Sequence, residues 1–119
     1  MRSVSIHHVV SELNGSPVYV ERVTSTGTAA ASGTLVNGAR YLVQPDGAGY
    51  LLVGAVNEVD PSGTAVPTVT TANGIYVDAG EKIYVCLTDR SVIPSHAGFT
   101  KVQWISASGT THLNVYRMF

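Results

Sequence analysis

Four histidines, His7, His8, His96 and His112, are the side chains of this chain best suited to hold a metal or to move a proton near neutral pH. A metal site needs two or three imidazoles, or imidazoles with thiolates or carboxylates, converging on one point. His7 and His8 are neighbours, and in an extended chain neighbouring side chains leave opposite faces. They therefore do not share an ion, and the other two are scattered surface or interface residues. Serine is plentiful, yet no G-x-S-x-G elbow occurs and no strand-turn-helix context is present to hold one. Ser95 and His96 are neighbours in sequence, which supplies no hydroxyl-to-imidazole geometry. No enzyme activity, no metal and no cofactor is expected.

The remaining reactive groups read as structural. Cys86 lies in Ile83-Tyr84-Val85-Cys86-Leu87, an almost wholly apolar strand, and is expected as a core thiol, because a free cysteine packs as a small hydrophobe. Asp46, Asp60, Asp78 and Glu81 all fall in turns, where short polar side chains bond the backbone locally. No calcium loop and no phosphate-binding glycine pattern occurs. Tyr41, Tyr50, Tyr76, Tyr84 and Trp104 are aromatic enough to stack on sugars, but each sits within a strand signal, which favours a sheet-face or core role.

The elements that must position these residues follow from composition. The chain has 119 residues, 12.5 kDa, which is one domain. Charged residues make up 13%, about half the usual ~25%. The net charge of -1 argues against a nucleic-acid binder, which needs a basic stripe to neutralise phosphates. No apolar run reaches the ~20 residues of a membrane helix, and residues 1–10 lack the zones of a signal peptide. One cysteine excludes an internal disulfide. Valine is the commonest residue, and the polar positions are filled by Ser, Thr, Gly and Asn; branched and aromatic side chains suit a pleated surface. Helix-period patterns free of Gly or Pro are missing, leaving room for no more than a helical turn at residues 91–96. The class is all-β.

Strand signals recur every 8–12 residues with turn chemistry between them, as in a single antiparallel sandwich, barrel or jelly-roll-like domain. Ser3-Val4-Ser5-Ile6-His7-His8-Val9-Val10 and Val18-Tyr19-Val20-Glu21-Arg22-Val23 are strand-like, separated by the turn Asn14-Gly15-Ser16-Pro17. The small-residue stretch at 24–33 reads as a linker. Residues 1–33 are thus expected to form an N-terminal β-arm and linker, and residues 34–119 a compact body. In the body, Arg40-Tyr41-Leu42-Val43-Gln44 and Tyr50-Leu51-Leu52-Val53 are expected as one hairpin. Residues 69–71 are expected to be short and extended. Residues 99–106 and 111–116 are expected as a closing hairpin. Leu42, Val53, Val85, Leu87, Val102, Trp104, Leu113 and Val115 are the expected core.

The stretch Thr71-Ala72-Asn73-Gly74-Ile75-Tyr76-Val77-Asp78-Ala79-Gly80-Glu81-Lys82-Ile83-Tyr84-Val85 resembles a turn-and-strand pattern of small virion proteins of tailed bacteriophages. Its closing hairpin is similar to Lys101-Val102-Gln103-Trp104-Ile105-Ser106-Ala107-Ser108-Gly109-Thr110 with Leu113-Asn114-Val115, and its opening to Arg40-Tyr41-Leu42-Val43-Gln44 with Tyr50-Leu51-Leu52-Val53. The resemblance covers residues 34–119. It implies a head-associated or decoration (cement) protein located in the virion, assembled in the host cytoplasm, partnered by the major capsid protein or another virion protein. It also implies a homo-oligomer, a trimer foremost, with no catalytic residues, no nucleic acid and no membrane as partner. Two strands alone are marginal in water, so the arm needs a sheet to join. Val4, Ile6, His7, His8, Val18, Tyr19 and Val20 are accordingly the expected assembly interface, either with the body's own sheets or with a neighbouring subunit. A tail, connector or fibre component and a carbohydrate-binding module are the alternatives.

Overall fold

The computed structural model describes residues 17–60, 62–87 and 99–118. They hold eight strands: β1 Val18–Ser25, β2 Ala30–Ala31, β3 Arg40–Pro45, β4 Gly49–Val53, β5 Ile75–Val77, β6 Ile83–Cys86, β7 Val102–Ser106 and β8 Thr111–Arg117. One sheet has the order β1-β8-β3-β6, the other β2-β7-β4-β5, and every pairing is antiparallel. The pairs β1:β8, β2:β7, β3:β6 and β4:β5 are those of one long antiparallel ribbon. Rolling that ribbon until β3 meets β8 and β4 meets β7 gives a jelly roll. The all-β sandwich class expected from composition is the one adopted.

The two sheets close on a core that alternation along the strands selects. Val23, Tyr41, Val43, Val85, Leu113 and Val115 come from the first sheet, and Leu51, Val77, Val102 and Trp104 from the second, with Leu35 and Leu87 from the links. Of the expected core, Val85, Leu87, Val102, Trp104, Leu113 and Val115 are in this cluster, and Val53 packs against it partly buried. Leu42 is buried but lies outside the cluster, because Tyr41 and Val43 on either side of it take the inward positions of β3. Trp104 is fully buried, and its indole Nε1 donates to Thr111 Oγ1 at 2.9 Å. It lies directly over Gly49. A Cβ at that position would collide with the indole ring and stand 2.6 Å from the Ile105 carbonyl oxygen.

Three expectations are corrected. First, neither expected hairpin forms. β3 and β4 lie in different sheets, as do β7 and β8, so the turns at 46–48 and 107–110 are corners between sheets. The inner faces of both strands are apolar, and a corner buries both against each other where a hairpin would place them side by side. Second, Val18, Tyr19 and Val20 are not part of a separate arm. β1 pairs with β8 along its length, and Val23 belongs to the core. Third, the small-residue stretch is not a linker. Its serines are buried and bond backbone amides, Ser25 across the sandwich and Ser32 on the neighbouring strand β7. Ser25 Oγ accepts from Ser106 N at 2.9 Å, and Ser32 Oγ accepts from Val102 N at 3.0 Å. The extended segment expected at 69–71 forms no strand, although Val69 is buried.

Two side chains fasten the long link between β4 and β5. Buried Gln103 donates to the carbonyls of Gly54 and Pro67 and accepts from Val69 N at 2.9 Å. Glu58 accepts from the amides of Ala55 and Thr100 and from the Thr100 hydroxyl at 2.8 Å. An isolated bridge, Val59 to Ala65, ties the outer part of this link.

Candidate interaction surface

β1 is the outermost strand of its sheet. Its first three residues are apolar and exposed: Val18 at 53%, Tyr19 at 56% and Val20 at 42%. They are exposed for two reasons. The strand has a neighbour on one side only, and a register shift between Tyr19 and Glu21 leaves Val20 as the extra residue of a bulge. Beyond the bulge the strand returns to ordinary alternation, with Val23 and Ser25 turned inward. Of the expected interface, Val18, Tyr19 and Val20 are therefore brought together on one edge. Val4, Ile6, His7 and His8 lie outside the described residues, as do His96 and residues 91–96.

From Tyr19 an in-register row crosses the outer face of the sheet, from Tyr19 to Tyr116, Leu42 and Tyr84. Tyr19 and Tyr116 meet edge to face, with centroids 5.9 Å apart. Leu42 is the buried member of this row and, with Pro17, Gln44, Lys82 and Tyr116, lines a groove of 220 Å³. Burial pushes the Tyr84 phenol above its ordinary value.

The other half of this face is polar. Arg22 Nε donates to Asn114 Oδ1 at 3.1 Å. Asp46 accepts from His112 N at 2.7 Å, and its second oxygen lies 2.8 Å from His112 Nδ1. The backbone hydrogen bond from His112 is the main reason that the Asp46 carboxyl sits below its ordinary value. His112 thus clasps the corner between β3 and β4 and, among the described residues, converges with no other imidazole. Among those residues, no group of three or more His, Cys, Asp or Glu side chains is placed to hold a metal ion.

The second sheet ends in β2 on one side and β5 on the other. Ile75 is 60% exposed and Tyr76 49%. The Tyr76 and Tyr50 rings pair at 5.4 Å with 65° between their planes. The Tyr76 hydroxyl donates to Asp78 Oδ1 at 2.9 Å, and that bond raises its phenol above the ordinary value. Glu81 accepts from Asp78 N at 3.2 Å. Asp60 accepts from the amides of Ser62 and Thr64, both at 2.9 Å. Asp46, Asp60 and Glu81 thus accept from backbone amides, and Asp78 accepts from the Tyr76 hydroxyl.

The sugar-stacking set is divided by the fold. Tyr41 and Trp104 are core residues, and the Tyr41 hydroxyl accepts from Val36 N at 2.8 Å. Only Tyr50, Tyr76 and Tyr84 reach the outer faces. Cys86 corrects another expectation: it is exposed. Val85 takes the inward position of β6, which turns its neighbour out. The β5 edge was missed by sequence reasoning, although Asn73-Gly74 before Ile75-Tyr76 was a visible turn signal. No family model, curated protein or solved structure matches the chain.

Proposed function

We propose that this chain is a non-enzymatic structural protein of a tailed-phage virion, a decoration (cement) protein that binds the major capsid protein or another virion protein. The observation that carries this reading is the apolar edge formed by Val18, Tyr19 and Val20 on outermost strand β1. Proteins that work alone blunt such edges with charge, proline or short strands, because an open edge templates pairing with another chain. Here the first charges of β1, Glu21 and Arg22, come only after three apolar residues. An edge of this kind suits a protein whose work is assembly through added strands. The low overall charge supports the same reading. Jelly rolls serve as viral capsid domains, and also as lectins; that is likeness of fold and carries no function by itself.

The Tyr50–Tyr76 pair favours a second reading, a carbohydrate-binding module. Its two rings stand 65° apart, so they offer no shared flat face to a sugar ring. The assembly reading is preferred for that reason.

A mass profile of purified particles tests the proposal. Copies of the chain in proportion to the shell subunits are the expected result. A low copy number matched to one vertex or to the tail moves the protein to a connector, tail or fibre role. Particles that lack the chain refute the reading.

A further inference from the structure

We propose that the Tyr50–Tyr76 pair with Asp78 is a site for a basic side chain, the lysine or arginine of a protein partner. The inference rests on the assembly reading only in taking that partner to be a protein. It adds a second surface, on the sheet that does not contain β1, and the chemistry that this surface recognises.

The fold exposes the pair by covering what lies beside it. Val102 and Trp104 take the inward positions of β7, so Gln103 and Ile105 face outward. Buried Gln103 lies beneath the link between β4 and β5, which it holds through Gly54, Pro67 and Val69. The link ends against Tyr50: a Cβ at Gly74 would stand 2.7 Å from Tyr50 Cβ. Beyond it the outer face keeps one in-register row, Tyr76, Tyr50 and Ile105. Tyr76 is 49% exposed, and Tyr50 and Ile105 are half-buried.

Two features of this row select a cation. The first is aromatic. A tyrosine face attracts an ammonium or guanidinium within about 6 Å of its centroid, and rings at 65° form the sides of a corner. The alkyl stem of a basic side chain packs on Ile105 and Tyr50 while its charged end reaches Tyr76. The second feature is charge. Asp78 stands at the hydroxyl end of Tyr76, its Oδ1 accepting at 2.9 Å. That bond makes the ring more electron-rich, and among the described residues the second oxygen of Asp78 has no partner. The charged groups acting on Tyr76 are Asp78 and Glu81, both anionic. A cation over the hydroxyl half of Tyr76 thus meets a ring face and a carboxylate together, and an anion is repelled. The Tyr19–Tyr116 pair on the first sheet lacks this setting, because Tyr116 shares its groove with Lys82.

The test is an NMR titration of the full chain, with no particles present, by the N-acetyl methylamides of lysine, arginine and norleucine. Norleucine carries the lysine stem without the charge. A cationic probe should shift the Tyr50 and Tyr76 ring signals saturably and leave those of Tyr19 and Tyr116 in place; norleucine should shift neither pair. Affinity should fall about two- to fivefold in Tyr76→Leu and in Asp78→Asn, the second of which keeps an acceptor for the Tyr76 hydroxyl. Raised salt should weaken binding in wild type. An unmoved Trp104 indole signal shows that each variant is folded. The inference is overturned if neither cationic probe gives saturable shifts, if norleucine binds as well, or if Asp78→Asn binds like wild type. Shifts by lactose with none by the cationic probes would overturn it in favour of the carbohydrate reading. Any of these failures leaves the copy number in particles untouched, whereas particles without the chain refute the assembly reading and leave the titration standing.

Discussion

Replacing Trp104 by alanine removes the largest side chain of the core. An aromatic side chain buries about 150–250 Å², which at about 25 cal/mol/Å² is worth ~4–6 kcal/mol of transfer free energy. Alanine retains part of that, and the cavity it leaves cannot collapse fully, because Gly49 beneath the ring has no side chain to move in. The expected loss is ~3–5 kcal/mol, against a total of ~5–15 kcal/mol for a domain of this size. About 1 kcal/mol shifts the melting temperature by ~4–8 °C in a domain of 60–100 residues, so the variant should melt tens of degrees lower or fail to fold. Trp104→Phe separates the contributions. It keeps most of the packing and loses the bond to Thr111 Oγ1, an expected cost of ~1 kcal/mol. Urea unfolding followed by circular dichroism measures both. Wild type offers a second reporter, since Trp104 is the sole tryptophan and its emission should shift to the red on unfolding. An alanine variant with an unchanged midpoint, or a phenylalanine variant as damaged as alanine, would refute the placement of this ring.

Deleting residues 1–26 removes β1, and with it Val23 from the core and the Ser25 acceptor for Ser106 N; the truncated chain should show no cooperative thermal transition, and a sharp one would contradict the role of β1 as an integral strand. Gly49→Ala forces a methyl group into the Trp104 ring and the Ile105 carbonyl, and overpacking of that kind costs ~1–3 kcal/mol, read as a lower urea midpoint at unchanged slope. The folded state holds the Asp46 carboxyl below its ordinary value, so its stabilisation is complete above the unfolded carboxylate range and is lost as pH falls through the folded value. In Asp46→Asn the acid-side decline in stability below about pH 4 should therefore be shallower than in wild type; parallel curves would show that the His112 clasp carries no linkage.

Several features of this protein were legible before any tertiary structure. Runs rich in valine, isoleucine and tyrosine between turn residues specify strands, and that is why β3, β6, β7 and β8 fall where their residues place them. Turn chemistry located the corners at 46–48 and 107–110. Leu113 and Val115 alternate with His112 and Asn114, so their inward direction was readable. Cys86 was not readable in this way. Residues 83–87 are apolar at every position, and a period of two has no phase when both faces are apolar. Leu42 fails for the same reason: Tyr41, Leu42 and Val43 form an unbroken apolar run, and only the packing of the sheet decides that the middle one faces outward.

The choice of strand partners was decided by the tertiary structure alone. A turn fixes the direction in which the chain reverses, and a few residues can either join two strands side by side or carry the chain across a sandwich. The local signals for the two are the same. What separates them is the match between inner faces brought together from distant positions, Val23 beside Leu113 and Leu51 beside Trp104. That match also drew β1 into the sheet of a body that its small-residue link had made look separate. It left Val18, Tyr19 and Val20 on one open edge and Ile75 and Tyr76 on the opposite one. A sandwich that does not close into a barrel keeps two outermost strands in each sheet, and only packing determines which residues those strands carry.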